Sequence, residues 1–448
     1  MHAVKALAEY VQVARDRAVS DEEREAAIRC ILDLLAAVAA GVNSPSAQAT
    51  RRVAADTFGA GASPVWFSGL TGSIVGAAWS NSAAASAQDL DDGNRLARGH
   101  PGAAVIPTVF ALASDGDCSF DDLIKAIVVG YEVGVGVGAS RGYYARTGMW
   151  SCYGVVAAAG LLRRTPPDQL AHAFAIAGMT APNLLSTGGG PRYPVPEGTD
   201  VKEGIPWSTA GAIVAVRLAE AGFTGPRDIL DHAPHYASAK LVERIGNEHS
   251  ICKTYFKLYS CCRHVHAPVD ALLTLIDRHE LDYRRIEAVE VHVYDGALRI
   301  SNRAEPVNLV DVQYSIPYCL GLAAIVGPSA LLPLTEDALH RDDVTQLARK
   351  VTLHLDPSLD ARFPAETLTR LVVVHAGDRY ESEVIAPRGE ATHPLSWQEL
   401  EEKFLTASRN VASGKQQMEL LAAVRKLKEG NALDLMTRLA CMRFAAEP

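Results

Sequence analysis

Within twelve residues, from Asp89 to His100, the chain places three carboxylates (Asp89, Asp91, Asp92), two arginines (Arg95, Arg98) and one imidazole. The flanks are small and apolar: SIVGAAWSNSAAASA (Ser73 to Ala87) before the cluster, HPGAAVIPTVFALAS after it. Charge of that density is costly to take out of water unless the charges answer one another or a ligand. A fold that buries both flanks must therefore leave this stretch as an exposed loop or make it the floor of a polar site. A surface loop between buried helices would more cheaply be serine, glycine or lysine, and mutually perturbing charges gather at functional sites. The sequence favours the polar site.

The flanks also set the fold class. From about residue 47 to 260, segments dense in Ala, Gly, Val and Leu are separated by loops such as STGGGPRYPVPEG, and alternating strand patterns are nearly absent. Small side chains at that density let helices pack closely, which predicts a large, mostly helical domain. Two helices precede it within residues 1–45. The second is capped by Ser20 or Asp21, carries an apolar face through Ile28, Leu32, Leu35 and Val38, and ends at Gly41. After about residue 265 the character changes. Val289, Val291 and Val293 alternate with Glu290 and His292, the pattern of a half-buried strand. KVTLHLDPSL and RLVVVHAGDRYESEVIAP follow, the latter predicting a hairpin turned at Ala376-Gly377-Asp378. Helix returns at the capping box of Ser396 and Glu399, with helical segments to Ala446. The expected architecture is mainly α with an inserted α+β domain: a helical domain at 1–266, an α+β lid at 267–392, and helices at 393–448 that rejoin the first domain.

Composition narrows the function. A net charge of -9 argues against binding extended nucleic acid or an anionic membrane. Apolar runs such as CILDLLAAVAAGV contain an acid and fall short of a span of about 18 residues, so no membrane segment is expected. The N-terminus is polar-amphipathic without a signal-peptide core. The eight cysteines are scattered in apolar context, which suits reduced, buried thiols. A cytoplasmic protein is expected.

Several signatures can be set aside. GVGVG at Gly134 to Gly138 has no preceding strand and no Gly-x-Gly-x-x-Gly spacing, so it reads as helix-packing glycine rather than a dinucleotide site. There is no phosphate loop, nucleophile elbow or Cys-x-x-Cys pair. The run Lys257-Leu-Tyr-Ser-Cys-Cys-Arg263-His264-Val-His266 offers sulfur and imidazole, but adjacent cysteines point apart, and structural zinc favours Cys-x₂₋₄-Cys knuckles. It reads instead as a cationic patch at a domain junction, a preferred place for a small-molecule site, or as a plain hinge loop. Lys202, just before a buried helix, and Tyr318, after a proline in DVQYSIPYCL, are each by themselves ordinary surface and core residues.

Taken together these segments resemble the MmgE/PrpD family. DLDDGNRLARGHPGAAVIP is similar to its Asp-Asp-…-His-Pro-Gly segment, and GTDVKEGIPWSTAGAIVAVRLAEAGFTGP to its lysine-containing helix start. FKLYSCCRHVHAPVDALL is similar to its Lys-x-Tyr-…-His segment, and DVQYSIPYCLGLA to its Gln-Tyr/Phe-Ser-Ile-Pro-Tyr segment. The segments occur in family order and span most of the chain. The family includes 2-methylcitrate dehydratase, cis-aconitate decarboxylase and iminodisuccinate epimerase. The resemblance implies a helical domain with an α+β lid, a homodimer, a site between the domains, a small di- to tetracarboxylate substrate, and neither metal nor organic cofactor. It implies Asp89, His100, Lys202, Lys257 and Tyr318 as catalytic residues, and Arg95, Arg98, Tyr144, Arg146, Arg263 and His266 as substrate-binding ones. Two departures stand out: Ala145 and Asn94 occupy places where many relatives carry histidine.

The chemistry the resemblance implies is removal of a proton next to a carboxylate, or loss of CO₂, through a carbanion-like state. Cations in a dry cleft would stabilise that state, and a base near neutrality is needed: His100, or a lysine or tyrosine lowered by cationic neighbours. With two imidazoles missing, the expectation leans to an epimerase like iminodisuccinate epimerase. A hydro-lyase of the 2-methylcitrate type, a decarboxylase of the cis-aconitate type and a non-catalytic polycarboxylate-binding homologue are the alternatives.

Overall fold

A computed structural model describes residues 1–448 apart from 117, 183–197, 234 and 445–448. Most of the STGGGPRYPVPEG loop and the end expected at Ala446 lie outside the described residues, where the last described helix is Leu433–Cys441.

Local chemistry sets the helix ends. The Asp21–Gly41 helix starts with a capping box, Ser20 accepting from the Glu23 backbone while the Glu23 carboxylate accepts from Ser20. Trp397–Ser408 begins the same way at Ser396 and Glu399. Glycines let two central helices cross closely. A Cβ on Gly154 of Ser151–Arg163 would fall 2.5 Å from the Gly130 carbonyl of Phe120–Ser140, and one on Gly134 3.3 Å from the Gly154 Cα. GVGVG is thus packing glycine. Phe120–Ser140 is also, at 21 residues, apolar and long enough to cross a membrane, which corrects the expectation that no segment is. It is the buried centre of the helical core.

Two hydrophobic cores divide the chain. The first runs from Ala3 to Phe256 and takes in Leu332 and Leu395 through Phe444. The second spans Tyr259 to Val373. Its sheet has the order Val351–Leu355, Ile286–Val293, Arg370–His375, Asp378–Glu381; the first pair is parallel and the others antiparallel. Val289, Val291 and Val293 face this core. The hairpin turns on two residues, Ala376 and Gly377, both in the left-handed region that such turns require, and Asp378 already pairs with His375. Helix Arg263–His279 begins ahead of the expected boundary at 266 and runs through it. Two short pairings lie in the helical half: Ser63–Val65 with Leu70–Gly72, and Gly93–Asn94 with Thr254–Tyr255. The second ties the acidic cluster to the chain just before Lys257.

Candidate active site

Helix Ile74–Ala87 ends two residues before Asp89, whose φ of 50° turns the chain sharply. That turn aims the Asp89 carbonyl and carboxylate at one cation. Lys257 Nζ donates to the carbonyl oxygen at 2.7 Å and to Oδ1 at 3.1 Å, with its side chain wholly buried. Burial penalises the Asp89 carboxylate, but Lys257, Lys202 and His100 more than reverse this and hold it well below the usual carboxylate range. Burial likewise disfavours the Lys257 ammonium, yet Asp89 and Asp91 raise its pKa. Lys257 is therefore held as the ammonium, against the expectation of a lysine lowered into a base by cationic neighbours.

His100 sits just before helix Gly102–Ala113. Its Nδ1 is 2.6 Å from the Asp92 carbonyl oxygen, which can only accept, so Nδ1 carries a hydrogen and Nε2 is the nitrogen left to take up or give a proton. Carboxylates stand near both nitrogens, Asp89 Oδ1 3.6 Å from Nε2 and Asp91 Oδ2 3.9 Å from Nδ1. The His100 amide donates to Thr147 Oγ1, and the Thr147 hydroxyl and amide both donate to Glu203 Oε2. This places the Glu203 turn, and with it Lys202, beside the histidine.

Lys202 also has positive φ, 51°, two residues before Gly204, which caps helix Ile205–Glu220. Its ammonium donates to Gln313 Oε1 and lies 5.1 Å from the centre of the Tyr314 ring. Gln313 in turn donates to the Ala87 carbonyl at 2.9 Å, and its own carbonyl accepts from the Cys262 amide at 2.8 Å. Cys262 is pushed up to about 12, first by burial and then by Asp89, so it is a neutral thiol at the edge of the site. Tyr314, raised first by burial and then by Asp89, keeps its proton. Arg98, at φ 57°, is the third left-handed residue here; it stacks on Tyr144 at 5.7 Å. Tyr144 is 43% exposed and Arg146 is half-buried on the adjoining turn. Strained backbone at three positions of one site is how such places are often built.

Asp89, His100, Lys202 and Lys257 therefore meet, with Arg98 and Tyr144 alongside. Four expected site residues do not join them. Arg95 and Arg263 converge instead on one carboxylate, Glu390, and sandwich the Tyr255 ring at 4.9 and 4.6 Å. Arg95 also donates to Thr367 at 2.7 Å, so the pair clasps the helical half to the α+β half. His266 Nε2–H donates to the Cys261 carbonyl at 3.2 Å, and burial followed by Arg263 holds the ring well below the usual histidine range. Tyr318 points into the second core and donates to the Ala338 carbonyl at 2.7 Å. Ser315 caps helix Ile316–Ile325, so Gln313 and Tyr314 stand in front of the helix while Tyr318 is in its first turn, facing inward. Reading that Ser-x-Pro cap would have selected Tyr314. Thr147, Glu203 and Gln313 carried no such signal in the sequence; Asp91 lay in the expected cluster and Cys262 in the cationic run, neither with an assigned role. Asn94, the departure from the family pattern, is fully buried and donates to the Ser250 carbonyl at 3.0 Å, a structural role; Ala145 is buried.

Ligand atoms of Asp89, Asp91 and His100 come within 4.8 Å of one another, as a metal set would. The donor set fits an ion poorly, because the Lys257 ammonium already holds Asp89 and would repel a second cation there.

Residues 5–240 match the family model for the MmgE/PrpD N-terminal domain and residues 259–429 that for the MmgE/PrpD C-terminal domain. A cis-aconitate decarboxylase of Aspergillus terreus is 30% identical over 316 residues, 62% of this chain and 63% of the relative; a second sequence of that description from the same species matches equally. A cis-aconitate decarboxylase-like protein of Aspergillus oryzae is 25% identical over 386 residues, 76% of this chain and 77% of the relative. The chain thus spans just under two thirds of the length of the first two relatives.

Proposed function

The chain belongs to the MmgE/PrpD family, and we propose that it is a cofactor-independent lyase that decarboxylates a small unsaturated tricarboxylate of the cis-aconitate type. The observation that carries this reading is His100: one ring nitrogen committed to the Asp92 carbonyl, the other free to carry a proton, within reach of the Lys257–Asp89 pair. The relatives named above support the substrate class.

Lys202 and Arg98 have neutral partners among the described residues, Gln313 and the Tyr314 ring for one and the Tyr144 ring for the other. They are the cations available to substrate carboxylates. When the scissile C–C bond breaks, CO₂ departs and the electron pair spreads through the double bond onto a remaining carboxylate as a dienolate. Preformed positive charge from Lys202 and Lys257 stabilises that charge as it develops. His100 Nε2–H then gives its proton to carbon, and the ring regains one from water, so that one proton replaces one CO₂. Asp89 and Asp91 flank the ring while it is charged.

The missing imidazoles at Asn94 and Ala145 favour, as a second reading, an epimerase in which His100 removes an α-proton and Lys202 or Tyr314 returns one to the other face. In either reading the protein is a cytoplasmic homodimer. All eight cysteines are unpaired, which suits a reducing compartment. The apolar stripe of Trp207, Val214 and Leu218 along Ile205–Glu220, with Gly211 between them, is the face offered to a second copy; light scattering of a Val214→Glu variant tests it, and an unchanged mass would refute that placement.

The function itself is tested by incubation with cis-aconitate, citrate-type hydroxy acids and iminodisuccinate in D₂O, followed by NMR. Decarboxylation gives CO₂ and one deuterium on the product carbon. Exchange with inverted configuration on a saturated substrate would replace it with the epimerase reading, and a new vinyl proton with a hydro-lyase. Binding shifts without turnover would sink every enzymatic reading.

A further inference from the structure

Four buried carboxylates converge behind the site, and three of them have evident partners. Asp89 is held by Lys257. Asp92 accepts from the Tyr131 hydroxyl at 2.6 Å and the Gly102 amide at 3.0 Å. Asp33, on Asp21–Gly41, pairs with Lys403, which reaches in from Trp397–Ser408 and also donates to the Leu90 carbonyl at 2.9 Å. Asp91 differs. It is 1% exposed and, unlike the other three, has no lysine, tyrosine or amide partner among the described residues; its Oδ2, bare like one oxygen each of Asp33 and Asp89, lies 3.9 Å from His100 Nδ1. Leaving a buried carboxylate oxygen unsatisfied is costly, so its retention calls for a compensating role, and its nearest described cationic partner is the catalytic imidazole.

We infer that Asp91 is a positioning residue that acts through His100, fixing the ring with Nε2 turned towards Lys202 and Lys257 and answering the positive charge the ring carries when Nε2 holds a proton. The inference rests on the proposed role of His100 as proton carrier. Because Nδ1–H is already donated to the Asp92 carbonyl, Asp91 acts through space at 3.9 Å rather than by a hydrogen bond. The charged groups facing it come from every neighbouring element: Asp33, Asp89 and Asp92 among the acids, Lys202, Lys257, Lys403 and His100 among the bases. Burial raises Asp91 towards its protonated form, while His100 and Lys257 oppose that shift. Asp33 and Asp92 are themselves pushed up to about 6 and about 7, burial being the main cause, so the carboxylates behind Asp91 are those that give up their charge first as pH falls.

Asp91→Asn keeps the shape and removes the charge. With an anion gone from the Nδ1 side, the protonated ring loses support and forms only at lower pH. The first readout is the ring Cε1 proton of His100 followed by NMR from pH 5 to 8.5, identified by its absence in His100→Gln. The midpoint is expected to fall by about one pH unit. On cis-aconitate, kcat is expected to fall about ten- to a hundredfold and the pH–rate limb to move the same way, with KM changed less than threefold. A titration and pH profile that stay at their wild-type positions would overturn the inference and leave Asp91 a structural residue. Should Asp91→Asn fail to fold, Asp91→Glu retains the charge: a midpoint within half a unit of wild type supports the inference, and a fall of a unit or more overturns it. The ring titration needs no turnover, so a wild-type protein inactive on polycarboxylates would refute the proposed function while leaving the Asp91 test standing.

Discussion

Replacing Lys257 with methionine removes the cation that hydrogen-bonds Asp89, and the structure sets the scale of the result. The ammonium and Asp89 Oδ1 are 3.1 Å apart, with exposures of 0% and 4% for the two side chains. At an effective dielectric near 20 the Coulomb attraction at that distance is about 5 kcal/mol. Methionine fills most of the volume, so the loss is mainly electrostatic: a buried carboxylate left without its cation typically costs about 3–5 kcal/mol. For a chain of 448 residues, unfolding entropy near the midpoint is about 0.9 kcal/mol/K, so Tm should fall by about 4 °C, and by more if the helical core melts separately. The pH dependence fixes the cause. Asp89 in the wild type is depressed, so its contribution is full above the unfolded carboxylate pKa near 4 and is lost as pH falls through the folded value. Without Lys257, burial dominates, Asp89 takes up a proton more readily, and the variant's deficit should shrink from pH 7 towards pH 5. Asp89→Asn combined with Lys257→Met should recover most of the lost Tm. The assay is calorimetry of the single and double variants at both pH values. A Tm loss of the same size at pH 5 and 7, with no recovery in the double variant, would refute the ion-pair argument.

Other consequences follow from the same geometry. Lys202→Met, whose partners are a neutral amide and a ring, should cost about 1 kcal/mol in stability but lower kcat/KM about a hundredfold or more, seen by comparing calorimetry with steady-state kinetics. Glu390→Gln removes the carboxylate shared by Arg95 and Arg263; it should destabilise by about 2–4 kcal/mol and change KM less than threefold, because those arginines serve the clasp rather than the substrate. Tyr318→Phe should cost about 1 kcal/mol and leave kcat unchanged, whereas Tyr314→Phe should reduce kcat; the reverse pattern in steady-state rates would restore Tyr318 to the site.

What could be read from sequence, and what could not, follows from the range of each interaction. Ser20 with Glu23, Ser396 with Glu399, and the alternation of Val289, Val291 and Val293 are local signals, and each sits where its pattern placed it. The strands Ser63–Val65 and Leu70–Gly72 are three residues each, too short for alternation to register. In the candidate site, the density of charge around Asp89 marked a loop that is buried in the structure, and family motifs joined it to Lys202 and Lys257, residues far away in sequence. Nothing near the two arginines in sequence reveals Glu390, which is 295 positions from Arg95 and 127 from Arg263. As a string, the motif does not distinguish Tyr318 from Tyr314. The cap at Ser315 sets Tyr314 ahead of the helix, beside Lys202, and Tyr318 inside its first turn.

The central claim is that His100, set between Asp89 and Asp91 and beside two lysine ammonium groups, delivers a proton to carbon as CO₂ leaves. Its most direct measurement is CO₂ release from cis-aconitate in D₂O by the wild type and by His100→Gln, with deuterium in the product located by NMR. The expected result is one CO₂ and one carbon-bound deuterium per turnover in the wild type, and a rate at least a hundredfold lower in the variant. Equal rates in the two proteins, or a wild type that binds cis-aconitate and releases no CO₂, would contradict it.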